Sequence, residues 1–154
     1  MFKFRFETLL SARRNAEEIH QKELAKVRRE LSAEQAALRE LRGNRRRCMR
    51  ELQRIHQQGF HASEVQLYEP YLARLERDID RQQKHVAGAE HKMVQKRNAL
   101  VEAVKKRQVL EKLKDKDFRA HVNANALSER KFMDDVASQI FSKSSNYSGG
   151  FGEN

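Results

Sequence analysis

From Leu24 to Ile55, apolar residues return in alternating steps of three and four. They are Leu24, Val27, Leu31, Leu38, Leu41, Cys48, Leu52 and Ile55, with Glu34 and Arg45 at the two remaining positions of the series. That spacing is the a/d stripe of a coiled coil, and the intervening Arg, Glu, Gln and Ala are mostly good helix formers. Ahead of Leu24 the stripe shifts through Phe6, Leu9, Leu10, Ala12, Ala16 and Ile19. The shift reads as a register slip within one helix. The pattern predicts a proline-free first arm over residues 4–57.

Residues 58–63, Gln-Gly-Phe-His-Ala-Ser, interrupt the stripe. Gly59 stands where a glycine ends a helix, and Ser63 is placed to cap the next one with Glu64 in its first turn. A second arm follows over residues 64–142. Its stripe is Val65, Tyr68, Leu72, Leu75, Ile79, Gln82, Val86, Ala89, Met93, Lys96, Leu100 and Ala103, drifting afterwards to Leu110, Leu113, Phe118, Val122, Phe132, Met133, Val136 and Ile140. A gap this short between two helices folds them back antiparallel, which pairs residues whose numbers add to roughly 120. Arg45 then falls opposite Leu75 with Glu76 alongside, and Leu10 falls near Leu110. At ~1.5 Å per residue the paired part is roughly 80 Å long.

Three points stay open at this level. Gly43, just ahead of Arg45-Arg46-Arg47, is either absorbed in the first arm or divides it, making three helices. Pro70 either bends the start of the second arm or marks where the continuous helix begins. The second arm outruns the first by about 25 residues, so its end projects past the amino terminus or folds back. The expected fold is all-α, a long antiparallel two-helix coiled-coil hairpin over residues 1–143. A disordered tail, 144–154 (SSNYSGGFGEN), follows it.

Composition agrees with an extended helical object. Of 154 residues, 38% are hydrophobic and 35% charged, with no Trp and one Pro. A compact domain usually draws on about 45–50% apolar residues. No apolar run approaches the ~18–20 residues of a membrane span, so no direct membrane insertion is expected. The opening MFKFRF lacks the apolar stretch of a secretion signal. A single cysteine, Cys48, fits a reducing cytosol.

Catalytic chemistry finds no support. No phosphate-binding GxxxxGK[ST] loop occurs, the six histidines are scattered, and one cysteine gives no zinc spacing. No cofactor, metal or catalytic residue is expected. The formal charge of +10 makes an acidic partner plausible. Acidic residues nevertheless interleave with the basic clusters, as on a solvated coiled coil, and no nucleic acid is expected as a partner. Two features ask for a protein partner. Phe2, Phe4 and Phe6 at one terminus, and Phe132, Ile140 and Phe141 near the other, lie beyond the regular stripe, where a two-stranded coil offers no cover. Tyr71 and Leu75, four apart, either form a small apolar anchor on one helix face or simply cover the edge of the stripe.

Four segments, in order, resemble the FliJ family of flagellar export chaperones. Phe4-Arg5-Phe6-Glu7-Thr8-Leu9-Leu10 is similar to its F-x-[FL]-E-x-[LV]-L opening. The stretch 66–76 (QLYEPYLARLE) resembles its Y-x-x-[FY]-[LI]-x-x-L-E pattern. Residues 107–114 (RQVLEKLK) and 131–137 (KFMDDVA) resemble its [RK]-x-x-L-E-K-L and K-x-[ML]-D-E-[IVF]-A segments. The resemblance implies a non-enzymatic component of flagellar type III export. Such a protein is cytoplasmic and is held at the inner face of the cell membrane through the export apparatus. It implies three partners: the export ATPase hexamer, the cytoplasmic part of the export gate membrane protein, and substrate-specific export chaperones. For the ATPase ring, the candidate residues are Phe4, Phe6, Leu10, Arg13, Leu110, Lys112, Leu113 and Phe118. For the gate, the matching positions are Tyr71, Leu75, Asp78 and Gln82. Asp78 and Gln82 depart from the small and His residues of the family at those places, and Pro70 is unusual there. The stalk of an injection-type secretion system shares the architecture and is the nearest rival. A rotary ATPase gamma subunit and a nucleic-acid- or ribosome-binding coil are further rivals.

Overall fold

A computed structural model describes residues 1–59 and 62–147, with side chains through Lys143. The fold is all-α. Two long helices, α1 (Glu7–Gln58) and α2 (Ala62–Tyr147), pack antiparallel against each other. The start of α1 is set by backbone bonding. Leu10 N–H donates to the Phe6 carbonyl at 2.9 Å, and Glu7 N–H donates to the Phe4 carbonyl at 3.3 Å. Phe4 and Phe6 therefore belong to a turn ahead of the helix, three residues later than the stripe placed the boundary. Glu7, in the first turn, suits the positive end of the helix dipole.

α1 passes through Gly43 unbroken, which excludes the three-helix arrangement. It ends at Gln58, and Gly59 follows with φ 98°, a left-handed conformation that costs glycine little. Phe60 and His61 of the connecting segment lie outside the described residues. α2 begins at Ala62, so Ser63 sits inside the first turn instead of capping it. Pro70 lies within this helix, which neither starts nor stops there. The helix also continues to Tyr147, through the first four residues assigned to the tail. Each added helical residue gains a backbone hydrogen bond, enough to carry Ser144 to Tyr147 despite their modest propensities. The rest of the expected tail, 148–154, is outside the described residues.

Two compact units divide the chain, each drawing on both helices: Arg13–Lys105, and Met1–Ala12 with Lys106–Asn154. In the first, the buried residues are Leu24, Val27, Leu31, Leu38, Cys48 and Ile55 from α1, with Leu75, Ile79 and Ala103 from α2. These are stripe positions without exception. Polar groups on the stripe and beside it pair across the seam. Gln82 Nε2 donates to the Glu34 carbonyl at 3.0 Å and also to its carboxylate, and Lys96 Nζ meets the Glu23 carboxylate at 2.9 Å. Arg45 reaches Glu76 at 3.5 Å, as the folded-back numbering requires. Each pair adds to roughly 120, so the antiparallel register is the expected one. Polar seam pairs of this kind fix register, because a slip would strand them against apolar neighbours.

In the second unit, Leu10 is fully buried and Phe4 nearly so. Phe2 packs edge-on against Phe118 with ring centroids 5.4 Å apart, and lies 5.6 Å from the His121 ring. Phe4 and Phe6 form a second edge contact at 5.8 Å. Lys114 Nζ lies 2.7 Å from the Glu7 carboxylate and 5.9 Å from the Phe4 ring. From Asn123 to Lys143, α2 exposes every side chain except Val136, which is half-buried. The end of α2 does not fold back on itself.

Candidate functional site

Among the described residues, no group of histidine, cysteine and carboxylate side chains could hold a metal ion. No helix among the described residues is long and apolar enough to cross a membrane. Cys48 is buried in the seam, and burial pushes its thiol pKa up. Surfaces, then, are what the molecule offers.

The candidate ring-docking residues separate into packing and exposed groups. Leu10 and Phe4 are interior, and Phe6 is half-buried against Phe4 with the Arg5 guanidinium 5.1 Å above its ring. The expectation that Phe2, Phe4 and Phe6 stand uncovered is thereby corrected. The segment ahead of α1 lays its aromatics onto its own unit, and a partner cannot grip Phe4 or Leu10 directly. Leu110 and Leu113 are half-buried, Lys112 is exposed, and Arg13 is half-buried in the other unit. Phe118 is 51% exposed although one edge meets Phe2. Apart from Met1 and Leu9, the large apolar side chains that face outward on this unit lie along α2: Val109, Phe118, Val122, Leu127, Phe132, Met133, Ile140 and Phe141. Val109 and Leu127 escaped the sequence reading because neither falls on the stripe, and an isolated apolar residue off it carries no periodic signal.

The four gate-matching positions also divide. Tyr71 is exposed, whereas Leu75 is buried at 4%. The two therefore do not form an outward-facing pair, and Leu75 serves the seam. Asp78 is half-buried and lies 3.8 Å from Arg74 and 3.7 Å from Arg81 on the same helix. Gln82 is committed to Glu34.

Charge pairing is mostly local. Lys22 holds Glu18 below the usual carboxylate range through a hydrogen bond and its charge, and Arg54 does the same to Glu51. Glu23 is lowered chiefly by its hydrogen bond to Lys96 across the seam, then by that charge. Exposed pairs of this type contribute little to stability, and their main effect is to keep the flanks solvated.

The chain belongs to the class of long α-helical coiled coils. Within that class, this chain belongs to the FliJ family: the model of the flagellar FliJ protein matches residues 2–146. It is thus a component of flagellar or related type III export. No curated protein matches the chain in sequence. Among solved structures, it is similar to CT670 of Chlamydia trachomatis, described as a YscO homolog, with a TM-score of 0.66 and 19% identity. The likeness covers 95% of this chain and 99% of that one, and it shows a shared fold.

Proposed function

We propose that this protein is a stalk-like docking subunit of the flagellar export machinery. It binds the hexameric export ATPase through the unit that contains the amino terminus. It also contacts the cytoplasmic part of the export gate, and serves as a general chaperone that receives substrate-specific export chaperones. It carries out no reaction itself, and works in the cytoplasm at the inner face of the membrane, where the apparatus holds it. One observation carries the reading. The last part of α2 holds Phe132, Met133, Ile140 and Phe141 in water, each at least 65% exposed, with Phe118 and Val122 continuing the apolar series. Apolar surface on that scale is retained where another protein covers it. Lys112 and Lys116, exposed nearby, suit acidic residues lining a ring. The stalk of an injection-type system is the second reading, supported by the fold shared with the YscO homolog.

The test follows ATPase turnover and hexamer formation with and without the chain. Wild type is expected to raise both. Phe132→Asp and Ile140→Asp are expected to lower the stimulation about tenfold or more while leaving the helical melt unchanged, because both positions are exposed. No stimulation by wild type, or full stimulation by both variants, overturns the proposal.

A further inference from the structure

The Arg13–Lys105 unit carries a second surface that the proposed function does not use. A groove of about 610 Å³ is lined by Arg42, Arg45, Arg46, Met49, Arg50, Ile79 and Gln83. Arg42, Arg46 and Arg50 stand four residues apart on α1, one per turn, at ~6 Å intervals over ~12 Å. Several basic side chains of the two helices are paired with carboxylates, Lys22 with Glu18, Arg54 with Glu51 and Lys105 with Glu102. Arg45 has Glu76, and Arg47 donates to Asn44. Arg42, Arg46 and Arg50 meet no carboxylate among the described residues. The groove also has an apolar lining, because Met49 is 51% exposed beside the buried Ile79.

We infer that this groove receives an acidic amphipathic helix of a partner protein. The repeat decides the shape of the occupant. Carboxylates at every fourth position of a helix recur at the same ~6 Å interval, and guanidinium groups take carboxylates bidentately. The lining decides its second property. A helix that presents Leu or Met beside its acidic row covers Met49, which a phosphate backbone leaves wet. No aromatic side chain lines the groove to stack a base. On the α2 wheel, Gln83 lies on the opposite flank of the seam from Tyr71 and Asp78, so the groove opens on the other side from those two gate-matching positions.

The test uses the full chain and a synthetic helical peptide of about 18 residues, with Glu at every fourth position and Leu beside it. A scrambled peptide of the same composition, oligo(dT) and phosphatidylserine vesicles serve as competing probes, all at about 0.15 M salt. The ordered peptide is expected to bind about tenfold tighter than the scrambled one and tighter than either polyanion. The triple variant R42Q/R46Q/R50Q is expected to lose about tenfold or more, and M49Q, which keeps size and charge, about threefold. All four positions are exposed, and an unchanged thermal melt checks that the variants fold. Equal binding of the scrambled peptide, no binding, tighter binding of oligo(dT) or vesicles, or no effect of M49Q overturns the inference. None of these results depends on whether the chain stimulates an ATPase.

Discussion

Replacing Leu10 with alanine is expected to lower the stability of the amino-terminal unit by about 2–5 kcal/mol, the range for emptying a fully buried leucine site. Leu10 is the one large side chain with no exposure among the described residues. Phe4 is nearly as buried, and the packing of Phe2 on Phe118 and the pairing of Lys114 with Glu7 add to what holds this short segment. Urea unfolding followed by hydrogen exchange is the measurement, with amides of residues 106–118 exchanging faster in the variant. A loss under about 1 kcal/mol would mean that the site collapses around the smaller side chain or was never closed. The functional consequence separates two roles. Leu10→Ala removes ATPase stimulation by loosening the unit, whereas Phe132→Asp removes it with the unit intact.

Leu75→Ala is expected to cost about 2–4 kcal/mol, while Tyr71→Ala stays within about 0.5 kcal/mol of wild type. Leu75 is interior to the Arg13–Lys105 unit and Tyr71 is on its surface. Chemical denaturation of the two variants side by side reads the difference. If the gate is bound on this face, Tyr71→Ala weakens gate binding at full stability, and Leu75→Ala weakens it only through unfolding. Equal stability of the two variants would contradict the burial of Leu75.

These contrasts mark where sequence patterning sufficed. The 3,4 spacing located every buried residue of the Arg13–Lys105 unit, and the numbering rule placed Arg45 beside Glu76. Both succeed because an antiparallel coil has one seam and one register that buries it. Phe2, Phe4 and Phe6 were misjudged for a physical reason. They precede the helix, so they obey no 3.6-residue period, and only the structure shows Phe2 laid on Phe118. Leu75 could be assigned to two faces, because a step from Tyr71 and a step from Leu72 both arrive at it. The arginine groove was hidden more thoroughly. Acidic residues are interleaved along the whole chain, and which arginines they neutralise is decided by side-chain geometry across two helices.

The account turns on the outward-facing end of α2 being a surface that another protein covers. Hydrogen exchange of the chain, alone and with the purified export ATPase, measures this directly. Amides of residues 123–143 are expected to exchange about tenfold or more slowly in the complex, since an end open to water frays freely when unbound. Unchanged exchange there, or slowing confined to the Arg13–Lys105 unit, would contradict it.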